Sequence, residues 1–232
     1  MRIAVLEDDP AQADFICQTL SAVGHSCLAY STGPALVKEL RHQTFDLLVL
    51  DWQVPDMSGE EVLRWIRKSL SDHVPVLFMT SRSLEADIAM ILNAGADDYV
   101  VKPVSPEILL ARVKSLLRRT YQSNHASTME VFDEIAFDLK SKVVIVRGTP
   151  VTLMHKQFEL ALLLFQHMSR PLSRSYIRDV VWKQATDVPS RTIDTHVSSL
   201  RAKLGLRPEN GYRLSPVYGY GYRLEKITEE DL

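Results

Sequence analysis

Cysteine is scarce: two of 232 residues, Cys17 and Cys27. Two thiols cannot build the disulfide framework of a small secreted domain. Both sit in apolar stretches, where a reduced core thiol is the expected state. Long apolar runs are missing as well, since none approaches the roughly 20 residues of a membrane-spanning helix. Met1-Arg2-Ile3 leads into a strand pattern and not into a secretory leader. Repeats and low-complexity tracts are absent. Neither charge sign dominates, with 27 basic and 29 acidic side chains and a net charge of −2. The expectation is a soluble, cytoplasmic protein without membrane association.

That balance hides an asymmetry. Residues 1–128 hold 12 Lys and Arg against 16 Asp and Glu, whereas residues 140–213 hold 13 against 5. A locally basic second half points to a polyanionic partner. The length admits two ordinary domains, and 46% hydrophobic with 24% charged residues is a globular composition.

Four short apolar runs organise the first half, at 3–6, 47–50, 76–79 and 99–101. Each ends in polar side chains: Glu7, Asp8 and Asp9 after the first, then Asp51, Thr80 and Lys102. Helical spacing fills the intervals at 10–23, 34–41, 58–68, 84–93 and 106–119, with a further strand at 26–30. Alternating strands and helices without hairpin signals predict a doubly wound, flavodoxin-like α/β fold over residues 1–119. Ligands in such folds bind beyond the carboxyl ends of the strands, where these polar groups would gather.

Periodicity fails over 120–128, a polar linker. Short alternating runs at 131–132, 135–137, 143–146 and 151–153 then predict a small antiparallel sheet, with a turn at Gly148-Thr149-Pro150. Helices at 156–168, 174–182 and 191–204 and a glycine-aromatic hairpin over 212–224 complete an α+β domain over 129–226, before a tail at 227–232.

The strand-end groups suit phosphoryl chemistry. A carboxylate such as Asp51 can attack phosphorus and hold it as an acyl phosphate. Two more carboxylates beside it demand a cation, and Mg²⁺ prefers oxygen ligands with waters and phosphate oxygens completing its shell. A phosphatase using a nucleophilic Asp commonly has a second Asp two positions on as general acid; Gln53 stands there, which disfavours an enzyme.

Glu7-Asp8-Asp9, Asp51 with Val54-Pro55-Asp56-Met57-Ser58-Gly59, Thr80-Ser81 and Lys102-Pro103 together resemble the receiver domain of two-component response regulators. The resemblance implies Asp51 as phosphoacceptor. It assigns a Mg²⁺ site to Asp8, Asp51, the backbone carbonyl of Gln53 and, through water, Glu7. Lys102, Thr80 and Ser81 would hold the phosphate, Tyr99 would turn inward as part of a switch, and the peptide before Pro103 would be cis. Asp9 and Asp56 are read as ordinary loop residues. Slow self-dephosphorylation is expected, tuned by Gln53 and Arg82. The family also implies a two-fold homodimer through Asp97, Asp98 and Arg112, around an apolar patch enlarged here by Ile88, Leu92 and Ile108.

Residues 129–226 resemble the winged helix-turn-helix effector of the OmpR/PhoB class. Phe158-Glu159-Leu160, Arg170 to Arg174, Trp182, the 191–204 helix and Gly219-Tyr220-Gly221-Tyr222-Arg223 carry that likeness. Ile193, Val197, Leu200 and Leu204 recur at helical intervals and mark a buried face. Thr195, Ser199 and Ala202 form the opposite stripe, as short side chains that approach base edges. The likeness makes Thr195 and Ser199 base readers and Arg191, Thr192, His196, Arg201 and Tyr222 backbone contacts, with Ser198, Lys203 and Tyr218 nearby. Met154 replaces the usual threonine cap of the first helix. The loop from Lys183 to Ser190 corresponds to the segment through which relatives touch RNA polymerase. The function implied is transcription regulation on double-stranded DNA, driven by phosphotransfer from a sensor histidine kinase. The alternative is a constitutive dimer that ignores phosphorylation.

Overall fold

Apolar runs with no polar face become strands covered on both sides. In the computed structural model, which describes residues 1–70, 74–121, 128–182 and 190–227, five such strands lie parallel. They are β1 (Arg2–Leu6), β2 (Ser26–Tyr30), β3 (Leu47–Leu50), β4 (Val76–Thr80) and β5 (Asp98–Val101), in the order β2-β1-β3-β4-β5. Helices α1 (Pro10–Ala22), α2 (Gly33–Leu40), α3 (Gly59–Ser69), α4 (Glu85–Asn93) and α5 (Pro106–Tyr121) cover them. Because successive strand residues face opposite ways, two cores form. Ala4, Leu6, Leu48, Leu50 and Phe78 pack against α2, α3 and α4, and Ile3, Val5, Leu47, Val49 and Leu77 pack against α1 and α5. The chain leaves β1 for β2 on one side and returns to β3 on the other, opening a crevice at their carboxyl ends.

Two glycines are steric necessities. A Cβ on Gly59 would lie 1.9 Å from the carbonyl oxygen of Asp51, so only glycine lets α3 start so close to the end of β3. A Cβ on Gly221 would lie 2.0 Å from the carbonyl oxygen of Leu172.

The chain divides into two compact units, residues 1–122 and 123–232. The second begins with an antiparallel sheet of β6 (Met129–Phe132), β7 (Ile135–Asp138), β8 (Val143–Val146) and β9 (Thr149–Val151). Helices α6 (His155–Gln166), α7 (Arg174–Val181) and α8 (Ser190–Lys203) follow, and the β11 (Tyr212–Val217) and β12 (Gly221–Lys226) hairpin closes a winged-helix domain. Phe137, Phe158, Phe165, Leu200 and Leu224 fill its core.

Two local expectations are corrected and one short strand is added. Thr149 and Pro150 belong to strand β9. The reversal is instead Arg147-Gly148, both at positive φ (49° and 77°), between the paired residues Val146 and Thr149. A two-residue strand, β10 (Leu172–Ser173), pairs with β12 and is too short to show periodicity. α5 continues to Tyr121, whose hydroxyl donates to the carbonyl of Asp46 at 2.9 Å and anchors the last turn. No described helix is long and apolar enough to cross a membrane.

Candidate functional site

Parallel strands bring their carboxyl ends together, and with them Glu7 and Asp8, Asp51, Thr80 and Lys102. Lys102 Nζ donates to Glu7 Oε2 at 2.6 Å and to Asp51 Oδ2 at 2.7 Å. Asp51 Oδ1 accepts from the backbone N–H of Trp52 at 2.5 Å and of Gln53 at 3.4 Å. The carboxylates of Glu7, Asp8 and Asp51 each place an oxygen within 4.8 Å of the others. Burial pushes the Glu7 carboxyl above its ordinary range, against the opposing bond from Lys102. Burial alone would lower the Lys102 ammonium, but its bonds to Asp51 and Glu7 outweigh that and raise it.

Three carboxylates outnumber one ammonium, so the cluster could hold a further cation. An all-oxygen donor set with one exposed member, Asp8, fits a hard divalent ion that retains water. The cleft above is walled by Gln12, Phe15, Gln53, Ser81 and Val104. Asp9, by contrast, is the N-cap of α1, its Oδ1 accepting from Ala11 N at 2.8 Å. Asp56 takes a left-handed φ of 68° in the loop after the strand. The Lys102–Pro103 peptide is cis.

Thr80 is fully buried and its hydroxyl has no partner. Tyr99 is buried too, its hydroxyl donating to the carbonyl of Arg82 at 2.5 Å. The Arg82 guanidinium lies 4.5 Å from the centre of the Trp52 ring, beside Asp51, and 3.6 Å from Asp87. Sequence reasoning missed this Trp52–Arg82 stack, because nothing in residue spacing reports it.

On the α4–β5–α5 face, Leu92 and Ile108 are exposed while Ile88 packs partly into the core. Leu84, Met90 and Val101 add exposed apolar surface that the sequence reading passed over; the alternation along β5, with Val100 inward, was the available signal. Arg112 pairs with Asp98 at 3.3 Å within the protomer. Asp97 is committed internally: one carboxylate oxygen accepts from Arg67 and from Val76 N, both at 2.8 Å.

In the second unit, Ile193, Val197, Leu200 and Leu204 are buried, and Arg191, Thr195, Ser198 and Ala202 are exposed on α8. Thr192 and His196 are half-buried. Four expected DNA contacts are otherwise engaged. Ser199 Oγ accepts from the buried Gln157 amide at 3.0 Å, so it faces α6 and not outward. Arg201 Nε donates to the Leu214 carbonyl at 2.6 Å, and Lys203 Nζ to Gln157 Oε1 at 3.2 Å. Tyr222 is 5% exposed and its hydroxyl donates to Asp194, which also pairs with Arg174 at 2.6 Å. That Arg174–Asp194–Tyr222 knot fastens α7, α8 and the wing together. Tyr218, at the hairpin tip, is fully exposed.

His196 rests against Trp182, ring centres 5.4 Å apart, with its Nδ1 buried and unpartnered. Burial lowers its pKa from 6.5. Met154 caps α6 without a side-chain bond; Gln157 Oε1 instead accepts from the Met154 N–H at 3.1 Å. The 183–190 loop lies outside the described residues except for the start of α8.

A parallel five-stranded domain with carboxylates and a lysine at its strand ends, followed by a winged helix, defines a signal-receiving transcription regulator. Residues 3–114 match the response regulator receiver domain, and residues 148–224 match the C-terminal domain of transcriptional regulatory proteins. The sensory transduction protein RegX3 of Mycolicibacterium smegmatis is 34% identical over 226 residues, covering 96% of this chain and 98% of its own. The transcriptional regulatory protein CreB of Escherichia coli is 35% identical over 227 residues, covering 96% and 97%. The crystal structure of DrrB, an OmpR/PhoB homologue of Thermotoga maritima, is 28% identical across 97% of this chain and 98% of its own, at a TM-score of 0.47. The sequence matches carry the assignment: the chain belongs to the OmpR/PhoB family of two-component response regulators.

Proposed function

We propose that Asp51 accepts a phosphoryl group from a sensor histidine kinase and that the acyl phosphate shifts the protein toward a DNA-binding dimer. The observation that carries this reading is Lys102 bridging Asp51 and Glu7 at the strand ends. An Asp51 oxygen attacks phosphorus while the phosphoramidate bond to the kinase imidazole breaks. Lys102 then transfers its bond to a phosphate oxygen. Asp8, Asp51, the Gln53 carbonyl and, through water, Glu7 would hold Mg²⁺, which would supply positive charge against the phosphate. Ser81 lies at the cleft to meet the same group.

Thr80 is the donor that phosphate recruits, since its hydroxyl has nothing to lose by moving. Its shift vacates space behind it, and the buried Tyr99 with its Arg82 bond is the element that responds. The response biases α4 and the α4–β5–α5 face. A homodimer forms through Leu92, Ile108 and part of Ile88, and two copies place two α8 helices on tandem half-sites. Arg191, Thr192 and Ser198 meet the backbone, Thr195 meets base edges, and Tyr218 meets DNA from the wing. The chain is not a dedicated enzyme, acts in the cytoplasm, and contacts RNA polymerase through the 183–190 loop.

The deciding experiment incubates the protein with Mg²⁺ and a small-molecule phosphodonor such as acetyl phosphate. Mass spectrometry should find one phosphoryl group on the peptide containing Asp51, and none on an Asp51→Asn variant.

A further inference from the structure

We infer that Cys17 and Cys27 are a redox modification site, at which a peroxide converts two thiols into one disulfide joining α1 to the edge strand β2. The two Sγ atoms lie 2.8 Å apart, closer than unbonded heavy atoms normally rest. Both cysteines are free. Cys17 comes from the middle of α1, and Cys27 stands beside Ile3 in the β1–β2 register. They pack at the rim of the core that holds Ile3, Ile16 and Leu20, each partly exposed. The chain has no third cysteine to compete for either.

Hydrogen peroxide is the co-reactant. The Cys17 sulfur, as thiolate, attacks one peroxide oxygen; the O–O bond breaks, and the departing hydroxide takes up the thiol proton as water. Cys17 is then a sulfenic acid. The Cys27 sulfur attacks it, the S–O bond breaks, a second water leaves with the Cys27 proton, and the S–S bond forms. Two sulfurs have lost two electrons and two oxygens have gained them. Burial and the neighbouring Cys17 push the Cys27 thiol above its ordinary range.

The location gives the bond reach. β2 ends at Tyr30, whose carbonyl accepts from Glu7 N at 2.9 Å. α1 supplies Ala11, Gln12 and Phe15 to the cleft over Asp51. A Cys17–Cys27 bond therefore ties together the two elements that flank the acidic loop.

The test treats the full chain with hydrogen peroxide, blocks remaining thiols with iodoacetamide, and digests without reductant for mass spectrometry. The expected product is one cross-linked peptide pair containing Cys17 and Cys27, in a yield independent of protein concentration and reversed by dithiothreitol. Cys17→Ser and Cys27→Ser chains should not yield it. Recovery of both cysteines alkylated, oxidation of either one singly to sulfinic acid, or linkage only between two copies overturns the inference. None of these readouts depends on phosphorylation.

Discussion

Lys102 Nζ stands 2.7 Å from Asp51 Oδ2, across the end of β4, with Glu7 held on its other side. This single ammonium is the cation that lets buried carboxylates coexist. Lys102→Met leaves them crowded and unpaired, and removing one partner of a buried ion pair costs about 3 kcal/mol. Added Mg²⁺ should recover part of that loss, because it supplies the missing charge. Urea unfolding of the variant with and without Mg²⁺ measures both effects.

Thr80 carries the opposite sign. A buried hydroxyl without a partner costs about 1–3 kcal/mol relative to an apolar group of the same shape. Thr80→Val should therefore raise the resting stability of the receiver by about 1 kcal/mol. The same variant should accept phosphate at Asp51 yet fail to gain DNA affinity from it. If stability falls instead, the hydroxyl has a partner after all.

The exposed apolar face makes a graded prediction for assembly. Ile108 is half exposed and Ile88 packs partly into the core. Ile108→Glu should leave the unfolding midpoint unchanged and keep the phosphorylated protein monomeric in sedimentation velocity. Ile88→Glu should do so only with a loss of stability, because it also introduces a charge into the core.

Much of the receiver was legible because one rule places its chemistry: polar residues that end apolar strands meet at one edge of a parallel sheet. Glu7, Asp8, Asp51, Thr80 and Lys102 follow from it without side-chain detail. Helix α8 was legible only on its buried face. Ile193, Val197, Leu200 and Leu204 follow from periodicity, but the directions of Ser199, Arg201 and Lys203 are set by partners distant in sequence: Gln157, the Leu214 carbonyl and the Thr152 carbonyl. A buried amide must be satisfied wherever a donor or acceptor is nearest, and no spacing rule reports which residue that is. The burial of Tyr222 was illegible for the same reason, since its partner Asp194 lies on another element.

That difference separates Thr195 from Ser199. Ser199→Ala leaves the Gln157 amide without its acceptor and should cost about 1 kcal/mol of effector stability. Thr195→Ala removes an exposed side chain whose hydroxyl bonds only the Arg191 carbonyl in its own helix. Its effect should fall on DNA, about 1 kcal/mol of affinity and a loosened preference at one base position. Thermal unfolding and fluorescence-anisotropy titration, run on both variants, should show the two losses on different measurements.

His196 makes the stability of α8 and its packing on Trp182 depend on pH. Its imidazole has a buried, unpartnered Nδ1 and lies against Trp182, and burial depresses its pKa below 6.5. The folded state thus binds this proton less readily than the unfolded chain does. Stability from the neutral ring is fully present above 6.5 and is lost as pH falls through the lower folded value. His196→Gln removes the titrating group while keeping a polar side chain of similar length. The wild type should therefore lose stability relative to His196→Gln as pH falls from 6.5 to about 5, the acid side of the range in which histidine changes charge. Urea midpoints that move in parallel for the two proteins across that range would place the pH sensitivity elsewhere.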